Sequence, residues 1–266
     1  MKKHLNYLII ALLGTNCLLS FAQAPKTSPN QHLSMATLYF QRAAENKALY
    51  YQAYNFARVS LDNDLQNVTD TRKRAVVVDI DETLLDNSPF EAKCILEGTS
   101  YPTYWNEWVQ LAQADALPGA AEFLNYAASK GVEVFYVSNR KTIELEATLK
   151  NLTAKGFPMV DEQHLLLRTT TSNKSERRTK IEETYRIVLL AGDNLNDFTE
   201  VFEKQDPEKR NALTDSLKFE FGKRFIVLPN AMYGDWENAL FNYNNKLAEH
   251  QKDSIRLQNL KSFETN

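Results

Sequence analysis

Cysteine, histidine and glycine are scarce in this sequence of 266 residues. It contains two cysteines, four histidines and eight glycines. The low glycine and proline content, eight residues of each, excludes a collagen-like or low-complexity chain. A large excess of one charge is also missing, because 31 basic residues stand against 34 acidic ones. The net charge of −3 argues against a basic surface of the kind that binds nucleic-acid polymers.

The remaining composition is that of a globular protein. Hydrophobic residues make up 43% of the chain and charged residues 24%, which are ordinary fractions for a packed domain. A chain of this length can bury a full hydrophobic core. Together these properties predict one α/β domain over residues 35–262, in which a modest helical addition accompanies the core.

The first residues form the pattern of a secretory signal peptide. Two lysines precede an apolar stretch over residues 5–19, and small residues follow it. We expect cleavage after Ala22 in preference to Ala24, because proline directly follows the later position. The pattern predicts a signal peptide over residues 1–22 and an exported protein, located in the periplasm or at the outer cell surface.

Cys17 leaves a second interpretation open, in which a lipid on this cysteine anchors the protein to a membrane. The residues before it, Gly14–Asn16, match a lipid-attachment pattern poorly, so simple cleavage is favoured. Cleavage near Ala22 would remove two lysines and no acids, which changes the net charge from −3 to −5. Cys94 would then be the only cysteine, so the stability of the protein would come from packing and not from an internal disulfide.

The segment after the predicted signal peptide has two parts that differ in composition. Residues 23–34 are polar and rich in proline, serine and asparagine, which indicates a flexible lead-in. A helical pattern follows over residues 35–68. Its apolar residues recur at three- and four-residue steps and include Leu49, Ala53 and Phe56. We expect this face, together with nearby tyrosines, to pack on the core.

Alternating strand and helix patterns occupy the rest of the chain. Apolar, largely β-branched runs predict five strands, at residues 75–80, 132–137, 164–167, 187–191 and 225–228. The helical patterns between them predict a doubly wound, mostly parallel sheet. An excursion over residues 86–117 is predicted to be rich in loops. Residues 235–262 are predicted to form a polar helical tail.

Two of the predicted strands end at aspartates. Asp79 and Asp81 stand at the end of the first strand, and Asp193 and Asp197 follow the fourth. In open parallel sheets, ligands bind in the crevice beyond the carboxyl ends of the strands. Carboxylates brought together there repel each other unless a cation compensates them. Hard oxygen ligands favour Mg²⁺, so the four aspartates predict a magnesium site.

Further polar residues stand at the boundaries of other predicted elements, in a particular order along the chain. Ser138, Asn139 and Arg140 follow the second strand, and Lys174 opens a helix. Gly192 directly precedes the second pair of aspartates. An Asp-x-Asp pair alone is a weak signal, but its position before these sites makes the combination specific.

In this order, the motifs resemble those of the haloacid dehalogenase superfamily. Within it, the chain is similar to the class C nonspecific acid phosphatases, which include bacterial surface lipoprotein 5′-nucleotidases. The resemblance covers most of residues 36–245, and the two-part signature of four aspartates appears over Val78–Phe90 and Ile187–Phe198. It implies an enzyme that hydrolyses small-molecule phosphate monoesters, nucleoside 5′-monophosphates among them, and that forms a homodimer.

The resemblance also implies a role for each catalytic residue. Asp79 would be the nucleophile that forms an aspartyl-phosphate. Asp81 would protonate the leaving group and then take a proton from the attacking water. Ser138 would donate a hydrogen bond to a phosphoryl oxygen. Lys174 would neutralise the phosphoryl group and the nucleophile, although Lys180 remains an alternative for this lysine.

The same resemblance implies how magnesium is held. Asp79, the backbone carbonyl of Asp81 and Asp193 would contact the ion, with Asp197 bound directly or through water. Repulsion from the neighbouring carboxylates would keep a proton on Asp81, which fits an acidic working pH. No histidine stands beside these acids, which argues against a phosphohistidine mechanism.

Substrate recognition is implied to depend on aromatic stacking. Members of the family hold a flat leaving group between aromatic side chains, and Tyr233 stands in a matching segment. Tyr101 or Tyr104 would form the opposite face, although packing of Tyr104 against a neighbouring tryptophan explains that residue equally well. Asn139 and Arg140 are expected to contact the substrate. Stacking tolerates many flat groups, so it predicts a broad substrate range.

Two other functions compete with this interpretation. The first is a non-catalytic surface protein of the same fold that binds a ligand such as haem. The second is a metal-dependent sugar transferase that uses Asp79 and Asp81 to bind a nucleotide sugar. The second function leaves Ser138 and Asp193 without a role. The presence of all four aspartates together with Ser138 and Lys174 favours the phosphatase.

Overall fold

The computed structural model describes residues 30–67 and 69–263. The predicted signal peptide and Cys17 lie outside the described residues. The strands, in chain order, are β1 (Lys73–Val78), β2 (Leu85–Asp86), β3 (Asp115–Ala116), β4 (Glu133–Lys141), β5 (Leu165–Arg168), β6 (Tyr185–Gly192) and β7 (Phe225–Val227). Each of the five predicted strands corresponds to one of these within a few residues.

Five strands form one sheet in the order β5–β4–β1–β6–β7, and every neighbouring pair is parallel. The apolar part of the central strand β1 is almost completely buried, since Val76 and Val78 have no exposed surface and Val77 is 3% exposed. Val76 and Val78 belong to one apolar cluster, and Val77 belongs to another. Strand residues alternate between faces, so both faces of the sheet are covered. The predicted α/β fold with a parallel sheet is confirmed.

Helices cover the two faces of the sheet and the edge at which the strands end. They are α1 (Ser34–Arg42), α2 (Ala44–Asn67), α3 (Ser88–Glu97), α4 (Trp105–Leu111), α5 (Ala120–Ser129), α6 (Leu145–Ala154), α7 (Ser175–Glu182), α8 (Pro207–Ser216), α9 (Asp235–Leu240) and α10 (Glu249–Gln258). No helix among residues 30–67 and 69–263 is long and apolar enough to cross a bilayer.

The predicted N-terminal helical segment consists of α1 and α2, but part of its expected buried face is exposed. Leu49 is 40% exposed and Phe56 is 51% exposed. Tyr50 and Tyr54, which were expected to pack on the core, are buried, and their hydroxyl groups reach backbone carbonyls of the loop after β1. The Tyr50 hydroxyl donates to the Glu82 carbonyl at 2.5 Å, and the Tyr54 hydroxyl donates to that of Thr83 at 2.6 Å. Helix α2 therefore supports the loop that follows the first strand.

The excursion over residues 86–117 contains more regular structure than predicted. It includes α3 and α4, and β3 returns to pair antiparallel with β2. Pro89 in the first turn of α3 and Gly98 at its C-terminal cap, with φ of 65°, are ordinary helix-boundary residues. The expectation of a loop-rich segment is therefore wrong for residues 88–97 and 105–111.

The two flanks of the chain differ from expectation in opposite ways, because the lead-in is more regular and the helical tail is interrupted. Residues 30–34 of the predicted lead-in form a short 3₁₀-helix, Gln31–Leu33, and the start of α1. The predicted tail divides into α9 and α10. Both flanks pack over the carboxyl edge of the sheet, where His32 and Arg256 line the same cavity.

Candidate active site

Three carboxylates meet at the carboxyl edge of the sheet. Asp79 directly follows β1, and Asp193 directly follows β6, the neighbouring strand. Asp197 ends a short 3₁₀-helix, Leu195–Asp197. One carboxylate oxygen from each aspartate lies within 4.8 Å of the others. The sheet thus brings together three of the four aspartates that were predicted to bind metal.

Gly192 allows Asp197 to approach the end of β6. A Cβ atom at position 192 would lie 2.6 Å from the Cβ of Asp197 and 2.7 Å from its Cγ. These distances are too short for any side chain. The Asn194 backbone N–H donates to Asp197 Oδ2 at 3.0 Å, which fixes the carboxylate in this position. The glycine is required here by space and not by an unusual φ angle.

Lys174 lies between two of the carboxylates. It directly precedes α7, is 5% exposed, and donates to Asp79 Oδ1. Its ammonium group also forms an ion pair with Asp197 at 2.6 Å. Burial alone would lower the pKa of Lys174, but the charges of Asp197 and Asp79 outweigh it and raise the pKa. Lys180, the alternative, is exposed on α7.

The negative charge that Lys174 does not balance, on the carboxylates of Asp79 and Asp193, is strongly destabilised. Burial raises the pKa of Asp79 to about 7, against the opposing effect of Lys174. Burial, followed by the charges of Asp197 and Asp79, raises the pKa of Asp193 well above its usual range. Asn230 donates to Asp193 Oδ2 at 2.7 Å and orients this carboxyl group. A site with these properties favours binding of either protons or a cation.

The donor set fits a hard divalent cation. Carboxylate oxygens are the preferred ligands of Mg²⁺, and the three oxygens of Asp79, Asp193 and Asp197 are close enough to share one ion. The Asp81 carboxylate is not part of this group of three within the described residues.

Asp81 is instead paired with Arg140. The guanidinium donates to Asp81 Oδ1 through Nε at 3.0 Å and through Nη2 at 2.8 Å. Arg140 is 3% exposed, and its Nη1 donates to Thr148 Oγ1 at 3.1 Å. Asn87 donates a further hydrogen bond to Asp81 Oδ1 at 2.8 Å. The arginine, expected to contact substrate, thus also orients the predicted acid–base residue.

Ser138 and Asn139, which precede Arg140 in β4, are placed differently from that arginine. Ser138 has no exposed surface, and its hydroxyl oxygen accepts from the Arg140 backbone N–H at 3.1 Å. Asn139 is exposed and lines the cavity described below. Arg177 holds both residues, since it donates to the Ser138 carbonyl at 2.6 Å and to Asn139 Oδ1 at 2.8 Å.

Glu82 is a buried acid that the sequence analysis did not single out. It has no exposed surface and a φ of 53°, a left-handed conformation that is uncommon for residues other than glycine. Its carboxyl group accepts from Tyr233 and from the backbone N–H of Asn87, the latter at 2.8 Å. Burial, with a smaller effect of Asp81, raises the pKa of Glu82 well above its usual range. Its position after the Asp-x-Asp pair is the signal that could have identified it.

A cavity of about 480 Å³ opens over the carboxylates. Asp79, Asp81, Asp193, Asp197 and Lys174 lie in its lining. Phe90, Tyr101, Trp105 and Tyr233 supply its aromatic lining. Tyr101 and Trp105 are in edge-to-face contact at 5.9 Å between ring centroids. Tyr104 does not line the cavity, and its ring instead lies under the ammonium of Lys93 at 5.1 Å.

Comparison with known proteins identifies the family. Residues 14–236 match the model of a protein family described as HAD superfamily, subfamily IIIB (acid phosphatase). The class C acid phosphatase from Bacillus anthracis has a similar structure, with 46% identity and a TM-score of 0.87, covering 89% of this chain and 100% of that one. Its structure with tungstate bound gives 47% identity and a TM-score of 0.85, over 89% and 99% of the two chains.

Similarity extends to plant proteins. Acid phosphatase 1 from Solanum lycopersicum is 33% identical over 167 residues, which are 59% of this chain and 57% of that protein. Vegetative storage protein 2 from Arabidopsis thaliana is 30% identical over 166 residues, 59% of each chain. The matched part thus spans somewhat more than half the length of these two relatives. The predicted resemblance is confirmed, and the chain belongs to subfamily IIIB of the HAD superfamily, the acid phosphatases.

Proposed function

We propose that this protein is a magnesium-dependent acid phosphatase that hydrolyses phosphate monoesters of nucleotides and other small molecules. The observation that carries the proposal is the position of Asp79. Its carboxylate lines the cavity, contacts the ammonium of Lys174, and lies within 4.8 Å of two further carboxylate ligands. The tungstate bound by the relative from Bacillus anthracis supports an oxyanion site of this kind, because tungstate is tetrahedral like phosphate.

In the first step, an Asp79 oxygen attacks phosphorus in line with the ester oxygen. The bond from phosphorus to Asp79 forms as the bond to the leaving oxygen breaks. Asp81 gives a proton to that leaving oxygen, and Arg140 and Asn87 hold its carboxyl group in place. Lys174 offsets the negative charge that gathers between Asp79 and the phosphoryl oxygens.

In the second step, water hydrolyses the aspartyl-phosphate. Asp81 takes a proton from the water as it attacks phosphorus, and Asp79 is released as a carboxylate. Asp79, Asp193 and Asp197 would hold the magnesium ion, which supplies positive charge to the phosphoryl oxygens when bound. Ser138 is completely buried in the structure, so we propose that it supports the phosphoryl site through the backbone at Arg140.

The leaving group is proposed to occupy the aromatic part of the cavity. Tyr233 supplies one aromatic surface, and Tyr101 and Trp105 supply others. Tyr101 is preferred over Tyr104, because Tyr104 does not line the cavity. A flat base is favoured by such surfaces, without a requirement for one particular base. Export and homodimer formation remain predictions.

Hydrolysis of p-nitrophenyl phosphate tests the proposal directly. The protein with magnesium at mildly acidic pH should release nitrophenol, and EDTA or Asp79→Asn should each abolish the activity. Asp115→Asn is the matched control, because that side chain is 83% exposed and does not line the cavity. Activity that survives Asp79→Asn would reject the covalent mechanism. An inactive wild-type protein with a haem absorption band would favour the ligand-binding alternative.

A further inference from the structure

Two basic residues end neighbouring strands at the edge of the catalytic cavity. Lys141 is the last residue of β4, Arg168 is the last residue of β5, and the two are register partners. Neighbouring strands lie about 4.8 Å apart, and register partners face the same side of a sheet. Both residues line the cavity. Their side chains are therefore adjacent cations on one wall of the proposed substrate site.

In the described part of the chain, these two cations have no acidic partner for their side chains. Six lysines and arginines line the cavity, and four of them pair with acids, Lys174 with Asp79, Arg140 with Asp81, Lys252 with Glu249, and Arg256 with Glu237. Within residues 30–67 and 69–263, the charged groups of Lys141 and Arg168 form no ion pair with a carboxylate. Like charges on register partners destabilise a sheet. An anion bound between them would remove this repulsion.

Arg177 adds a third positive charge behind this pair. Among residues 30–67 and 69–263, its guanidinium donates only to neutral oxygens, including the Ser138 carbonyl and Asn139 Oδ1. It also donates to the carbonyl of Asn173 at 3.2 Å. Burial lowers the pKa of Arg177, the charge of Asp79 opposes this effect, and the smaller effect of Arg168 acts in the same direction as burial. Three cations thus lie close together without a carboxylate bound to any of their side chains in the part of the chain that the structure describes.

The sheet order places this cluster at a definite distance from the nucleophile. Strand β5 is the second strand from β1, with β4 between them. Val78 is level with Tyr136 and Tyr136 with Leu165, so Arg168 lies two strand spacings across from Asp79 and about two residues further along the strands. These offsets place the end of β5 about 12 Å from Asp79. This separation corresponds to the length of a sugar or an aromatic ring with its substituents. An anion at Lys141 and Arg168 would therefore belong to the leaving group and not to the phosphoryl group under attack.

We infer that Lys141 and Arg168 form a second oxyanion subsite, which binds a phosphate or carboxylate carried by the leaving group. The inference rests on the proposed phosphatase function and specifies its substrate class. Preferred substrates carry a second anionic group at the far end of the leaving group, as bisphosphorylated sugars do. Aromatic contacts select for flat groups, whereas this subsite selects for charge.

A matched pair of substrates tests the subsite. 4-(Carboxymethyl)phenyl phosphate and its neutral carboxamide differ in charge and hardly in leaving-group reactivity. The wild-type protein should have a higher kcat/KM for the carboxylate. Lys141→Gln and Arg168→Gln should each lower the ratio of the two kcat/KM values about fivefold, and added salt should lower it as well. Lys155→Gln, outside the cavity, is the control and should leave the ratio unchanged.

Binding provides an independent measurement. In Asp79→Asn, which should bind without turnover, calorimetry should show tighter binding of fructose 1,6-bisphosphate than of fructose 6-phosphate. This preference should disappear when Lys141→Gln and Arg168→Gln are added. If the wild-type protein turned over both aryl phosphates, and neither Lys141→Gln nor Arg168→Gln changed the ratio of the two kcat/KM values, the subsite would be rejected. The phosphatase function would then still stand. If the wild-type protein turned over neither aryl phosphate, the phosphatase function would be rejected. If Asp79→Asn nevertheless bound the bisphosphate more tightly, and this preference depended on Lys141 and Arg168, the subsite would still be supported.

Discussion

The hydroxyl group of Tyr233 donates a hydrogen bond to the buried carboxyl group of Glu82, although 151 positions separate the two residues. Asn87 contacts the same carboxyl group and also donates to Asp81. One chain of hydrogen bonds therefore connects an aromatic wall of the cavity with the proposed acid–base residue. The orientation of the Tyr233 ring is thereby linked to the loop after β1.

The two functions of Tyr233 can be separated by substitution. Tyr233→Phe keeps the ring but removes a donor from buried Glu82, so the free energy of unfolding should fall by about 1–2 kcal/mol. Tyr233→Ala also removes the stacking surface, so kcat/KM for AMP should fall about tenfold more than kcat/KM for glycerol phosphate. Tyr233→Phe should leave this substrate preference nearly unchanged. Equal losses on both substrates in Tyr233→Ala would contradict the stacking role.

Lys174 and Lys180 can be distinguished as the functional lysine. Lys174→Met removes the ammonium group that contacts Asp79 and Asp197, so kcat/KM should fall by at least about 100-fold. Lys180→Met changes an exposed side chain of the same helix and should alter kcat/KM less than about twofold. Steady-state kinetics with p-nitrophenyl phosphate measures both. A larger loss from Lys180→Met would reverse the assignment.

Stabilisation by magnesium should depend on pH. The pKa of Asp79 is raised to about 7, so its protonated form is the stable one in the metal-free protein. The corresponding stability is complete below the ordinary pKa of about 4 and is lost as pH rises through about 7. Magnesium needs the ionised carboxylate and must displace a proton at lower pH.

Magnesium should therefore raise the melting temperature more at pH 8 than at pH 5. At a metal concentration about 100-fold above Kd, stabilisation should approach about 2.7 kcal/mol at the higher pH. Thermal unfolding with magnesium and with EDTA measures the difference. Asp193→Asn should reduce the effect at both pH values, and a larger shift at pH 5 would refute the linkage.

Gly192 should be the glycine least tolerant of alanine. A Cβ there would lie 2.6 Å from the Cβ of Asp197, so Gly192→Ala must displace this aspartate. We expect a loss of stability of about 2–4 kcal/mol and weaker metal binding. Gly131→Ala is the control, because a Cβ at that position meets nothing within 4 Å and only its φ of 72° adds strain. Its cost should be about 1 kcal/mol, without loss of metal binding. Chemical denaturation and calorimetric titration with magnesium compare the two variants.

The parallel sheet and its strand-end acids were predictable because each depends on local sequence. The run before Asp79 is β-branched and apolar, so it indicates a buried strand, and the position of a strand end fixes where the next side chain points. Convergence of Asp79, Asp193 and Asp197 then follows from sheet geometry. Lys174 was harder to identify, because several basic residues follow it on the same helix.

Other features depend on partners that are distant in the sequence. Periodicity suggested that Leu49 and Phe56 face the core beside the tyrosines, yet both are exposed. Tyr50 and Tyr54 are buried, and their hydroxyl groups donate to backbone carbonyls after β1. No local pattern shows that such acceptors exist. The pairing of Arg140 with Asp81 spans 59 positions and was missed for the same reason.

Segments from opposite flanks of the chain complete the pocket. His32 precedes the first long helix and Arg256 belongs to the final one, yet both border the space above the nucleophile. The wall of this cavity is consequently incomplete until α10 has docked. Formation of the central sheet alone would bring the strand-end aspartates together but would leave the cavity without the side that α10 supplies.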